Sequence, residues 1–205
     1  MCTSACMTAT GCPTQSCYAA SANNVANPAV AGVPETLLYP AYAHDGLLAT
    51  RYSTGVPAVG MEWFQVDLCR TVTVTGVTLD DTTDPGDQAA AYTVQVSLDG
   101  NAWTDVAASP TIPDAGSESG AGDAGVEAGL GAGAGPLPAV LTITFPPVSA
   151  RYVRFNQTGM LPLSTRTGLS RWWSVDEFTV ACPGGADGGA GDAATSDSAS
   201  DSASE

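Results

Sequence analysis

Apolar and polar residues alternate with a period of two along several short stretches of this chain, the pattern of strands that lay one face on a core and turn the other to water. The clearest stretch is 140–145, with Leu141, Ile143 and Phe145 on one side and Thr142 and Thr144 on the other. Phe64, Val66 and Leu68 alternate with Trp63, Gln65 and Asp67, and Tyr92, Val94, Val96 and Leu98 alternate with Thr93, Gln95 and Ser97. Val72 and Val74 and then Val77 and Leu79 predict a strand whose phase changes at Gly76, the mark of a bulge. Val153 with Phe155, and Val175 with Phe178 and Val180, give two further candidates. Asp99-Gly100-Asn101 separates the 92–98 stretch from 103–106 and supplies the positive φ that a tight hairpin needs, so these two stretches are expected to pair. Helical periodicity is nowhere sustained over about ten residues. Short strands joined by Gly, Pro and Asp turns predict an all-β fold, an antiparallel jelly-roll-like sandwich.

Two stretches break the pattern. Residues 183–205 contain no aromatic and no large aliphatic residue, and so cannot bury enough surface to offset chain entropy; they read as a disordered acidic tail or linker. Residues 113–135 share that Gly/Ala/acidic character but lie between two alternating segments, which makes them a low-complexity insertion in a surface loop. The expected organisation is a cysteine-rich arm over 1–16, a sandwich over 17–182 and the tail beyond.

Charge then narrows the partners. The formal net charge is -15, yet nine of the 21 acids fall in the insertion and the tail. There is no lysine, and the six arginines are scattered, so neither a phosphate-tracking groove nor a polybasic membrane patch can be assembled. Nucleic acid and membrane insertion are both disfavoured. Met160, Leu161 and Leu163 form an apolar loop that these missing cations leave without a lipid-surface role. Six cysteines, at positions 2, 6, 12, 17, 69 and 182, are an even set with irregular spacing and one histidine in the chain, which reads as disulfides and a secreted or cell-surface location in preference to a zinc site.

The order of landmarks from about residue 21 to 180 resembles the discoidin, or coagulation-factor C-type, domain, in the style of family 32 carbohydrate-binding modules. The matching pieces are Ala43-His44-Asp45-Gly46 followed by Thr50-Arg51-Tyr52-Ser53, then Trp63-Phe64-Gln65-Val66-Asp67-Leu68, then the 92–103 hairpin, then Ala150-Arg151-Tyr152-Val153-Arg154-Phe155, and last Ser174-Val175-Asp176-Glu177-Phe178. Three departures stand out: Tyr52 where the family has Trp, Cys69 where it has Gly, and Asp80-Asp81 where many sugar-binding members carry Arg.

The resemblance implies a structural Ca²⁺ bound by the Asp45 carboxylate, the Thr50 hydroxyl and carbonyl, a main-chain carbonyl near His44 or Leu47, and Glu177, a set of hard oxygens of the kind this ion takes. The alternative is that Asp45 caps a turn and Glu177 is a solvated strand residue. The resemblance also places ligand binding in the loops at one end, here 80–88 and 157–173. Sugars are held by aromatic faces against their C–H side and by polar groups on their hydroxyls, for which Trp172, Trp173, Arg171, Arg166, Asp81, Asp84 and Asp87 are the candidates. Alternation requires that one of two adjacent tryptophans can equally face the core. A second calcium loop over Asp80, Asp81, Asp84 and Asp87 lacks the spacing of an EF-hand. The resemblance implies chain ends side by side and stapled together, which would pair Cys17 with Cys182 and leave Cys69 to Cys2, Cys6 or Cys12, with the arm folded back on the sandwich.

No activated nucleophile accompanies His44, and no G-x-S-x-G elbow occurs. The expected function is therefore a non-catalytic extracellular module that binds a glycan or glycoprotein, contains a structural calcium ion and serves as one part of a larger multidomain chain. The competing readings are an adhesion or structural domain that binds a protein partner and, third, a glycoside hydrolase.

Overall fold

The computed structural model describes residues 2, 11–24, 38–83, 86–109, 137–159 and 172–183. The insertion 113–135, the tail from 184 on, the apolar loop residues Met160, Leu161 and Leu163, and the candidates Asp84, Arg166 and Arg171 lie outside them.

Eight strands make up the described fold: β1 (Ala19–Ala22), β2 (Tyr52–Ser53), β3 (Glu62–Asp80), β4 (Tyr92–Ser97), β5 (Thr104–Ala108), β6 (Val140–Gln157), β7 (Ser174–Val175) and β8 (Glu177–Ala181). Two short 3-10 turns, Gln15–Cys17 and Pro40–His44, are the helical elements among the described residues. All strand pairs are antiparallel, in a large sheet ordered β1-β3-β6-β4-β5, with β8 also on β3, and a small β2-β7 sheet.

Two long, bent strands turn this sheet into a sandwich. β3 joins what the pattern shows as two strands, and β6 joins the 140–145 and 153–155 stretches. Their shared ladder slips twice, between Asp67 and Val72 and between Val74 and Gly76. At the second slip, three residues of β6 including Pro146 and Pro147 stand opposite Thr75; prolines cannot donate to the ladder, so the chain bulges there. Gly76 is required by close approach, because a Cβ built on it would sit 2.5 Å from the Ile143 carbonyl oxygen. At the first slip Cys69 takes φ 64°, a conformation that favours glycine, which gives a physical reason for the family's Gly at that point. Its strain is held by the Asp67 Oδ1 that accepts the Cys69 N–H at 2.7 Å, and by the Cys2–Cys69 disulfide.

Beyond each slip the strands change neighbours. The first half of β3 runs between β1 and β6, and the second half between β8 and β6. The two halves face each other across an aromatic core: the Phe64 ring from the first lies 5.3 Å from Phe178 of β8, Tyr52 packs at 5.5 Å from Phe64, and Trp173 stacks at 5.7 Å on Phe155. The expected all-β antiparallel sandwich is the observed fold.

The alternation places Phe64, Val66, Leu68, Val94, Val96, Ile143, Phe145, Val153 and Phe155 in the core as expected. Leu98 departs from it at 59% exposed, because β4 ends at Ser97 and the hairpin turn has begun, with Gly100 at φ 76°. The stretch expected as one strand over Val175, Phe178 and Val180 is two, broken at Asp176. There the Asp176 N–H reaches the Asp80 carbonyl at 3.0 Å, and its Oδ2 accepts the Thr83 N–H and hydroxyl at 2.8 and 2.7 Å.

The disulfides correct one expectation and support another. Cys182 pairs with Cys12, not Cys17. Cys17 closes the 3-10 turn Gln15–Cys17 with its carbonyl 3.1 Å from Cys69 Sγ, and the C-terminal end of β8 meets position 12 instead. Cys17 is itself disulfide-bonded. Cys69 does take one of the expected partners, Cys2, so the arm folds back on the sandwich.

Candidate functional site

The site is built where β8 leaves Asp176 and meets the loop that follows the Pro40–His44 turn. Asp45 stands at the end of that turn and Gly46 follows at φ 81°, which swings the chain so that Leu47 points its N–H back toward two carboxylates at once. Asp45 Oδ1 accepts that N–H at 2.9 Å and Glu177 Oε1 at 2.8 Å. Thr50 Oγ1 lies 3.0 and 2.9 Å from the two Asp45 oxygens and 2.8 Å from the Leu47 carbonyl. Thus Asp45, Thr50, Leu47 and Glu177, of which Asp45 and Glu177 are 132 positions apart in sequence, do come together.

The chemistry of this cluster is a surplus of acceptors. A hydroxyl has one hydrogen, yet Thr50 has three acceptor oxygens within 3.0 Å, and the single Leu47 N–H is shared by two carboxylates. Glu177 is 8% exposed, and burial, followed by the charge of Asp45, pushes its carboxyl up to about 7 against two backbone N–H groups that lower it. Such a set of hard oxygens, short of hydrogens and carrying two adjacent carboxylates, fits a calcium ion.

The His44 ring packs 5.9 Å from the Tyr18 ring, with Nδ1 3.1 Å from the Gln15 carbonyl, and burial lowers its pKa. A carboxylate and two disulfide sulfurs also gather at Cys2, Asp67 and Cys69, but cysteines joined in a disulfide offer no thiolate, and Asp67 is held by a bidentate pair with Arg151 at 2.9 Å.

The loop residues expected to meet a ligand divide. Trp173 is 0% exposed and is core, stacked on Phe155 and edge-on to Tyr52, so its assignment to a ligand is corrected. The backbone explains which tryptophan turns inward: Trp173 is fixed next to β2 by its N–H to Thr54 Oγ1 and by its carbonyl to the Thr54 N–H. Trp172, its neighbour, is half-buried. Asp81 is corrected too: it is 4% exposed, with its N–H on the Ala139 carbonyl and its Oδ1 on the Asp176 N–H, a structural post. Asp87 is half-buried and keeps Ser174 in place through both its carbonyl and its Oδ2. Thr83 Oγ1, whose hydrogen has Asp176 Oδ2 and the Leu48 carbonyl at 2.7 and 3.0 Å as competing acceptors, lies where residues 80–83 and the Asp45–Thr50 segment sit side by side.

Sequence reasoning missed Gln15. Its side chain donates to Glu177 Oε2 at 2.7 Å and to the Phe178 carbonyl at 3.3 Å. It stands in an arm with no periodicity to mark it.

The antiparallel sandwich thus carries an oxygen-rich cleft beside its last strand. The sequence model of the F5/8 type C domain matches residues 33–178, and the chain belongs to that family. No curated protein matches the chain in sequence. Among solved structures, a valine-to-methionine mutant of chitosan-binding module 1 of a chitosanase/glucanase from Paenibacillus sp. IK-5 is 25% identical, with a TM-score of 0.52 over 79% of this chain and 92% of that one. The family 32 module of Clostridium perfringens NanJ, solved with galactose, is 17% identical, with a TM-score of 0.53 over 81% and 94%. Another Clostridium perfringens module, CpGH89CBM32-5, solved with GalNAc-β-1,3-galactose, is 16% identical, with a TM-score of 0.56 over 82% and 97%. The latter two show a shared fold. The described fold is thus that of a carbohydrate-binding-module-like F5/8 type C domain.

No helix among the described residues is long and apolar enough to cross a membrane.

Proposed function

We propose that this chain is a non-catalytic, extracellular carbohydrate-binding module that binds a structural calcium ion and takes its glycan at the loops around Trp172. The observation that carries the reading is the F5/8 type C match over 33–178, realised in a fold shared with a chitosan-binding module. Asp45, Thr50, the Leu47 carbonyl and Glu177 would hold the calcium, and the ion would supply the positive charge that the cluster of acceptors lacks. The disulfides Cys2–Cys69 and Cys12–Cys182 suit an oxidising, extracellular setting.

The ligand class follows from charge and from the tryptophan pair. With Trp173 committed to the core, Trp172 is the aromatic face left at the rim. The adjoining loop carries Asp80, Asp84 and Asp87 and no lysine, a field that repels uronate and sulfate groups and admits neutral or amino sugars. A glycan array including galactosides, N-acetylhexosamines, chitosan oligosaccharides and sulfated chains tests this. Trp172→Ala should abolish binding with the melting temperature unchanged. Capture of a protein partner by a chain that binds no glycan would favour the adhesion reading, and turnover of a glycoside would establish the hydrolase.

A further inference from the structure

The family match begins at residue 33, yet one wall of the oxygen cluster is built by residue 15. Gln15 sits in the 3-10 turn Gln15–Cys17 and bridges the two elements that supply the oxygens. Toward β8 its Nε2 donates to Glu177 Oε2 and to the Phe178 carbonyl, at 2.7 and 3.3 Å. Toward the Asp45 loop its carbonyl meets His44 Nδ1 at 3.1 Å. Glu177 is thereby held at both oxygens, Oε1 on the Leu47 N–H and Oε2 on Gln15.

The arm is anchored on either side of Gln15. Before it, Cys12 is bonded to Cys182, just past the end of β8; after it, Tyr18 Oη accepts the Val180 N–H at 3.2 Å and β1 pairs with β3. Gln15 is therefore presented to Glu177 with little freedom left to lose, the condition under which a hydrogen bond orients a ligand at small entropic cost.

We propose that the disulfide-anchored N-terminal arm is a working part of the calcium site, with Gln15 as the positioning residue that fixes the Glu177 carboxylate and the Cys12–Cys182 disulfide as the bond that keeps Gln15 in place. The inference rests on the calcium reading above. Outer partners of metal ligands are worth about 10- to 100-fold in metal affinity, so loss of this one should weaken calcium binding by about 10-fold.

Calorimetric titration of the full chain with calcium tests it. Gln15→Met keeps the length and packing of the side chain and removes the donor. The expected result is about a 10-fold weaker Kd for Gln15→Met at a temperature well below its transition, and a similar loss in Cys12→Ser/Cys182→Ser. A side chain that only packs would lower the metal-free melting temperature and leave Kd alone, and an unchanged Kd in Gln15→Met overturns the inference while leaving the calcium site standing. No calcium binding by the unaltered chain overturns both. Should the double cysteine variant not fold, Gln15→Met decides.

Discussion

Glu62 and Glu177 are both glutamates on the inner side of this sandwich, and their surroundings solve the same electrostatic problem differently. Glu62 is 1% exposed, and its carboxylate accepts three successive backbone N–H groups, those of Val59, Gly60 and Met61, at 2.8, 2.9 and 3.1 Å. Glu177 faces a second carboxylate, shares one of its N–H donors with it, and is pushed up to about 7 by burial and that neighbouring charge. A buried charge is tolerated when donors converge on it. The turn before β3 supplies those donors from its own backbone and brings no second charge, whereas the cleft beside β8 gives Glu177 the Leu47 and Gln15 N–H groups but sets the Asp45 carboxylate beside it. The first region is complete within the chain, and the second, on the calcium reading proposed above, would be completed by a cation.

The largest effect expected from this contrast is at Glu62. In Glu62→Gln an amide replaces one oxygen and leaves buried N–H groups without an acceptor, at about 1 to 3 kcal/mol each. A loss of about 3 kcal/mol in urea denaturation is expected, equal with calcium or with EGTA. A loss that depends on calcium would erase the distinction between the two regions.

Calcium removal comes next. At free calcium about 100-fold above Kd the folded state gains about 2.7 kcal/mol, so EGTA should lower the melting temperature visibly. Asp45→Ala and Glu177→Gln should each abolish that shift. In EGTA near pH 8, Glu177→Gln should melt at or above the unaltered chain, since relief of the charge facing Asp45 outweighs the one acceptor oxygen taken from Leu47 or Gln15. A lower melting temperature there would mean that the carboxylate is satisfied without metal.

The same cluster shows how far the sequence was legible and where it stopped. Period-two alternation placed Phe64, Val66, Val94 and Phe155 inward, and even the phase change at Gly76, because strand geometry ties facing to parity. Asp45, Thr50 and Glu177 were legible through the order of family landmarks, since the fold carries those segments to one place. Parity also says that one of Trp172 and Trp173 is core but not which; that depends on the backbone bonds of Trp173 to Thr54. The arm was the least legible part. Whether Cys12 or Cys17 reaches Cys182 is decided by a 3-10 turn and by tertiary contacts that leave no periodic trace, and Gln15 was hidden for the same reason. Asp81 misled because its acidic neighbours look solvated, while its own carboxylate closes the gap at Asp176.

A smaller effect is the pH dependence of the metal-free protein. The folded-state pKa of Glu177 lies above its ordinary 4.5, at about 7, so the native state binds the proton more tightly than the unfolded chain. The stabilisation this gives is fully present below about 4.5 and is lost as pH rises through about 7. In EGTA the melting temperature of the unaltered chain should therefore fall across that window relative to Glu177→Gln, which has no proton to lose. Bound calcium would compensate the ionised carboxylate, so its presence should remove the difference in slope, and parallel slopes in EGTA would refute the assignment.

The smallest effect belongs to a third carboxylate that stands between the two. Asp67 takes Nε and Nη2 of Arg151, both at 2.9 Å, and this bond holds the Arg151 guanidinium above its ordinary pKa. Like Glu62 it finds its partners within the chain, here a counter-charge in place of backbone N–H groups, but the pair is open to solvent, with the Arg151 and Asp67 side chains 39% and 17% exposed. Water and salt screen such a pair, and exposed ion pairs are worth about 1 kcal/mol or less. Arg151→Ala should cost about that much at low salt, less at high salt, and the same with or without calcium. A calcium-dependent cost would mean that cations also collect at Asp67, and the line drawn between self-contained and cation-completed carboxylates would then have to pass on its other side.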